Sequence, residues 1–535
     1  MISIQTVSCL EKILPNKPYD AEKRGSKLQN EHYAFQVVVE GGEALQGASL
    51  SVDGDFAPFV ETYLVQNVPT KKPYGLNPDP YVLTTPTNEF PDLLLPFDGE
   101  IRTVEERVCV WVNVLPSCPV GTHEIVVSLS KNGETLTKTA YELEVIQETG
   151  KQGDLFLTNW MHYDGITHLH HVEPFSAEYY EVFDKYLRLY VECGHNALLT
   201  PLVTPALDTA VGGERLTTQL VEISYDGTHY SFGLEKLDEF VKFAKARGIK
   251  YFELSHLFTQ WGAKFAPKIM VHENGKTVKK FGWETESDSE EYQNFLKEYL
   301  AAICAYVKQK GLENAVVFHL SDEPSAEALE HYGKLYAFVK EQIGKLKTID
   351  ALSEYDFYER KCVDVPVVIT VGCKTYREHS AAHIAYYCSW PCSNYDSNRF
   401  IAMSGERARI IGTQLYANDA KGFLHWGYNF YNAAFSTHVI DPFKSTDSDG
   451  RFPAGDPFIV YPDVANKGAF KSMRYYYMQQ AFEDYAALNR LAEKRGKAVV
   501  ENLLAEYGIE DYNRYPQTPT AFHQFRERLN GLLKE

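Results

Sequence analysis

At 535 residues the chain exceeds one ordinary domain, and its 44% hydrophobic and 23% charged residues are the balance of a well-cored protein. A formal net charge of −19 repels phosphate backbones and anionic headgroups, which argues against nucleic-acid, membrane-surface and polyanion partners and favours a neutral ligand. The opening MISIQTVSCLEKILPNKP lacks a basic stretch followed by an apolar core, and no run of about 18 apolar residues occurs, so neither a secretory signal nor a membrane span is expected and the location reads as cytoplasmic.

Residues 1 to 148 read as all-β. HYAFQVVVE is strand-like, and Val108, Val110, Val112 and Val114 recur at period two. HEIVVSLS then runs into Asn132-Gly133, a type I′ hairpin signal, and the return strand alternates Tyr141, Leu143 and Val145. Short strands with Gly/Pro turns and no helical pattern imply a β-sandwich.

From 149 to 535 apolar strands alternate with helices, the mark of βα units around a parallel sheet. Strands are expected at 155–160, 196–202, 251–257, 315–320, 347–352, 365–370, 385–390 and 422–426, the number needed for a (β/α)8 barrel. Tyr179, Val182, Phe183, Tyr186, Leu187 and Tyr190 share one helical face that Gly194 ends. Leu237, Phe240, Val241 and Ala244 share another, a third helix is expected over 290–310, and the tail beyond Ser472 reads as helical. The fold class is therefore multidomain α and β: an N-terminal β-sandwich, a TIM-like barrel and C-terminal helices.

A barrel of this kind works at the C-terminal ends of its strands. There AVVFHLSDEP places Asp322 and Glu323 directly after a buried strand, with a helix expected near Ser325. Such a step also serves as a plain helix cap, but the neighbouring strand ends favour chemistry. They offer Trp160, Asn196, His256, Trp261, Tyr386, Tyr387, Trp390, Trp426 and Asn429 as substrate-binding candidates. Flat rings stack on pyranose C–H groups, and amides suit hydroxyls and an acetamide. Taken singly, each is more often barrel packing than a ligand contact, and Trp426 and Trp390 are favoured. His168, His170 and His171 form an HLHH run read as a solvated loop, because no acidic ligand or i, i+4 pair completes a metal site. Nine scattered cysteines, an odd number, fit reduced thiols, and the C-x3-C at Cys388 and Cys392 has no second half. No Gly-rich phosphate loop follows any strand.

Nearly the whole chain resembles glycoside hydrolase family 123. NEHYAFQVVV and VWVNVLPSCPVGTHEIVVSL resemble the family's N-terminal sandwich, LSDEP its catalytic strand end and GFLHWGYNFY its last barrel strand. GDPFIVYP precedes a helix with Ser472, Arg474, Glu483, Asp484 and Tyr485 at the family's spacing. Gln479 and Ala481 depart from the family's Arg and Gly, which marks a divergent branch. The resemblance implies a retaining exo-glycosidase acting on a terminal β-linked 2-acetamido-2-deoxy-hexoside, an N-acetylgalactosaminide by the family's habit. Glu323 would be the general acid and later the base for water. Asp322 would hold the acetamide N–H while the substrate's own acetamide oxygen attacks the anomeric carbon, and no metal or organic cofactor is needed. Charge repulsion is expected to keep Glu323 protonated while Asp322 stays ionised. Two rivals remain: a double-displacement β-glycosidase with Glu253 as nucleophile, and a non-catalytic carbohydrate-binding protein on a decayed barrel.

Overall fold

The computed structural model describes residues 2–535 except Asn16, Leu76, Val104 and Ser353. The first part is a sandwich of two five-stranded sheets. One runs Ser3–Ser8, Tyr33–Glu40, Arg107–Val114, Val60–Pro69, Glu89–Pro96; the other runs Arg24–Leu28, Glu134–Ile146, Gly121–Lys131, Ala48–Val52, Glu100–Ile101. Period-two alternation turns Val108, Val110, Val112 and Val114 toward Ile125, Val127, Leu129 and Tyr141 in the space between the sheets. Asn132 and Gly133 both sit at positive φ, 54° and 82°, as the two-residue hairpin between Lys131 and Glu134 requires.

Two of the alternate residues of Arg107–Val114 do not face water either. Trp111 and Asn113 are fully buried, and the Trp111 ring stacks on Tyr476 at 5.4 Å between centroids. Tyr476 belongs to the helix Met473–Arg495, which is buried on almost every side along its first half. One apolar cluster therefore runs from Leu28 and Trp111 of the sandwich into the barrel helices. Buried ion pairs cross the same boundary. Arg474 forks onto Asp92 with two 2.8 Å hydrogen bonds, and Arg526, on the last helix Pro519–Lys534, reaches Glu31 at 2.5 Å and Asp484 at 2.8 Å. The last sandwich strand ends at Ile146 and the first barrel strand begins at Phe156, but the two layers share a core across that link.

The second part is a closed barrel of eight parallel strands. They are Phe156–Asn159, Ala197–Thr200, Tyr251–Leu254, Val316–His319, Lys347–Ala351, Val365–Ile369, Ile384–Tyr386 and Gly422–His425, and all eight fall inside the expected segments or within a residue of them. Ala197, Leu199, Ile349, Val367, Ile369, Ile384 and Leu424 fill its interior. The expected faces on the helices Ala177–Glu192 and Glu235–Lys245 are the buried ones. Loops after the second and third strands combine into a four-stranded sheet beside the barrel mouth, made of Tyr230–Gly233, Glu222–Tyr225, Ile269–Glu273 and Lys276–Phe281. The HLHH run is not a loop: His168 and His170 close the helix Tyr163–His170, and His170 pairs with the Tyr186 hydroxyl at 3.1 Å. The cysteines are all unpaired.

Candidate active site

The fourth barrel strand delivers Asp322 and Glu323 to a cavity of about 770 Å³, partly open to solvent, at the barrel mouth. In extended chain two successive side chains would point to opposite faces. Here Glu323 adopts φ 47°, in the left-handed region that non-glycine residues avoid, and the reversal lets both carboxyls line one cavity. Trp261 is held in the same region at φ 61°, and its backbone N–H donates to the Asp322 carbonyl at 2.7 Å. Two strained residues are thus tied together at the acidic wall. The helix expected near Ser325 starts as a 3-10 turn at Ala326–Ala328 and becomes α-helical only at Leu329, so the acids ride on a loop rather than a helix end.

Glu323 is exposed to solvent and Asp322 is half-buried, yet both have protein packed close about them. Burial raises Asp322 well above the usual carboxylate range, and the neighbouring Glu323 raises it further; only His319 opposes. Burial also raises Glu323, but the Tyr386 hydroxyl donates to its Oε1 at 2.8 Å and pulls it back. Both acids are thus raised, and the two titrate as one coupled unit. A donor on Glu323 and a set of acids around Asp322 act beside the repulsion between the two.

Beneath the pair lies a dry charge array. His319 Nδ1 contacts Glu253 Oε1 at 2.6 Å and its Nε2 lies 3.5 Å from Asp350. Burial alone would deprotonate this imidazole, but the two carboxylates outweigh it and raise it to about 10. Glu253 is fully buried and already accepts from Thr158, the Trp160 indole at 2.9 Å and His319. It is absent from the cavity wall, so the nucleophile role imagined for it lacks access to a sugar.

The rest of the cavity is an apolar floor of Leu207, Ala351 and Leu424 with aromatic and polar walls. Trp160, Trp261, Tyr386 and Trp426 all line it, as anticipated. The Trp426 indole donates to Asp456 at 3.0 Å, which fixes the ring; burial pushes Asp456 up to about 7 against the pull of Arg399 and that indole. Asp208, Gln260, Cys388, Ser389, Arg451 and Phe452 complete the lining and were not anticipated. Burial raises Asp208 to about 6, and its Oδ2 accepts the Phe435 N–H at 3.0 Å.

Five anticipated residues lie elsewhere. Asn196 precedes its strand and brackets Leu155 and Leu157 through their backbone, at the opposite end of the barrel. Tyr387 follows inward-facing Tyr386 and so points outward, against Phe423 and Met478. His256 is buried against His319 and Trp160. Asn429 pins the His162 backbone with two hydrogen bonds. Trp390 is 43% exposed and lies off the cavity lining. Among the described residues, no group of three His, Cys, Asp or Glu side chains is placed to hold a metal ion, and no helix is long and apolar enough to cross a membrane.

Residues 160–491 match the family model described as "Glycoside hydrolase 123, catalytic domain". Among solved structures, one of a family 123 glycoside hydrolase from Clostridium perfringens, described for glycolipid glycan hydrolysis, superposes with a TM-score of 0.75 at 12% identity and covers 100% of this chain and 98% of its own. A family 39 glycoside hydrolase from Bacteroides cellulosilyticus WH2 matches at a TM-score of 0.34 and 11% identity, covering 82% of this chain and 80% of its own, too distant to carry an argument. No curated protein matches the chain.

Proposed function

The chain belongs to glycoside hydrolase family 123, and from that premise we propose that it removes terminal β-linked 2-acetamido-2-deoxy-hexose residues, N-acetylgalactosamine foremost, with retention and with the substrate's acetamide as nucleophile. The observation that carries this reading is the adjacency of Asp322 and Glu323 on one wall of the cavity. Neighbouring acids cannot bracket an anomeric carbon from opposite faces, as a double displacement needs. They can serve the acetamide and the leaving oxygen of the same sugar.

In this reading the acetamide N–H donates to Asp322, which accepts most strongly when ionised. Binding therefore favours the form of the pair that carries its proton on Glu323. The acetamide oxygen attacks C1 as the C1–O bond breaks, and Glu323 gives its proton to the departing oxygen. Asp322 then faces the positive oxazolinium. Water attacks C1, Glu323 takes its proton, and the acetamide is restored with the β configuration kept. The His319 imidazolium below supplies a fixed positive field that offsets the negative charge of this wall.

Asp208 is the carboxyl on which a double displacement would have to rely, since it lines the same cavity. A panel of 4-nitrophenyl β-glycosides separates the two mechanisms. Both 2-acetamido epimers and the plain hexosides are assayed with the native enzyme and with Glu323→Gln, Asp322→Asn and Asp208→Asn. Turnover confined to 2-acetamido substrates is expected, with Glu323→Gln impaired mostly on poor leaving groups and Asp322→Asn on all. Cleavage of plain hexosides that Asp208→Asn abolishes would replace acetamide participation with an enzyme nucleophile.

A further inference from the structure

Among the described residues, the one cationic side chain on the cavity wall belongs to Arg451. Elsewhere in the molecule arginines grip carboxylates: Arg215 holds Asp164, Arg409 and Arg526 hold Asp484, and Arg474 holds Asp92. Arg451 does not. Its guanidinium lies 4.9 Å from the Phe435 ring centre and 5.8 Å from that of Phe452, and among the described residues it makes no side-chain hydrogen bond or ion pair. Nearby Asp208, raised by burial, feels the charge of Arg451, which draws its titration back down, but turns an oxygen to the Phe435 amide rather than to the guanidinium.

The two rings beneath Arg451 also touch the cavity tryptophans. Phe435 meets Trp261 edge-on at 6.1 Å, and Phe452 meets Trp426 at 4.7 Å. Trp261, Phe435, Arg451, Phe452 and Trp426 thus form a continuous arc around the mouth. Arg451 is exposed at the rim, whereas the floor of Leu207, Ala351 and Leu424 is the top layer of the barrel core. A sugar seated on the floor would place its leaving group at this rim. Planar guanidinium donors held over ring faces, with no partner of their own, are a fork that fits two oxygens of an oxyanion.

We propose that Arg451 anchors a carboxylate or sulfate ester carried by the sugar next to the one hydrolysed, so that the substrate class is a singly acidic glycan. The proposal rests on the hydrolase reading above and narrows it. It also departs from the neutral ligand expected from net charge: an overall −19 opposes a polyanion, but a single oxyanion docks against a local cation.

The test uses three disaccharides with the same β-linked 2-acetamido-2-deoxy-galactose, attached to glucose, glucuronate or glucose 6-sulfate. For the native enzyme, kcat/KM on the glucuronate or the sulfate compound should exceed that on the glucose compound by roughly tenfold at low salt, the size of one charged hydrogen-bonded pair, and the ratio should shrink as salt rises. Arg451→Met should bring the ratio to about one, and Arg451→Lys should leave it between, because an ammonium keeps the charge without the fork. Which acidic compound gains tells carboxylate from sulfate. The same three compounds are titrated onto Glu323→Gln by tryptophan fluorescence, which reads binding without turnover. Equal or weaker handling of both acidic compounds by the native enzyme, or a preference that survives in Arg451→Met, would overturn the proposal. If no 2-acetamido substrate is hydrolysed, the hydrolase reading fails, and the binding titration still decides the role of Arg451.

Discussion

Replacing Tyr386 by Phe removes one hydroxyl and leaves the ring in place. That hydroxyl donates to Glu323 Oε1 at 2.8 Å and favours the ionised carboxyl. A hydrogen bond to a charged group contributes about 1.5–3 kcal/mol, and the access of water to Glu323 through the mouth places this one at the lower end. At about 1.4 kcal/mol per pH unit, the proton on Glu323 should persist about one pH unit higher in the variant. The general acid works only while protonated, so activity is lost as pH rises through its titration; raising that titration moves the basic limb of kcat/KM upward. A tighter proton is also a slower donor, so kcat should fall on poor leaving groups and hold on 4-nitrophenyl glycosides. The assay is a pair of pH profiles, one on each class of substrate, for native and variant enzyme. A basic limb that stays put or moves to lower pH would refute the claim that Tyr386 tunes Glu323.

Other expectations follow from the same geometry. Because burial raises both acids, the native profile should be bell-shaped, with its basic limb above the ordinary carboxylate range; activity falls at low pH as Asp322 keeps its proton and at high pH as the pair loses its last one. Glu323→Asn should lose turnover on poor leaving groups yet be more stable by about 1–2 kcal/mol in urea unfolding, since asparagine tolerates the left-handed backbone and the adjacent like charge is gone. Asp456→Ala should raise KM more than it lowers kcat, because the freed Trp426 indole no longer holds its plane against the sugar; an unchanged KM would contradict this. Gly412→Ala should destabilise by more than about 3 kcal/mol, or prevent soluble expression, because a methyl there would lie 1.6 Å from the Ala481 carbonyl oxygen of the neighbouring helix.

The barrel was legible because each strand is an apolar run bounded by turn residues, and closure needs eight of them. The sandwich was legible from alternation, although period two alone could not tell that the second face of Arg107–Val114 is covered by Tyr476 rather than water. Asp322 and Glu323 announced themselves by following a buried strand. What strand position could not supply was direction. Asn196 stands at the start of its strand, and Tyr387 is one residue past Tyr386, which at a period of two turns it away from the cavity. Asp208, Gln260, Arg451 and Phe452 come from long loops without periodicity, and nothing in their local pattern points at the cavity. The donor that acts on Glu323 was hidden for a similar reason: Tyr386 is an interior neighbour 63 positions along the chain.

The Glu31–Arg526 contact joins residues 495 positions apart. During synthesis at ~5–20 residues per second, the earliest sheet must wait roughly 25–100 s before the counter-ion for its buried acid leaves the ribosome. Burial lifts Glu31 to about 7 even with Arg526 beside it, so the nascent sheet has reason to leave that edge open until the terminal helix arrives. Completion of the earliest sheet thus depends on a side chain supplied by a much later segment, and Arg526→Ala should injure that sheet as well as the helix Pro519–Lys534 that carries the arginine.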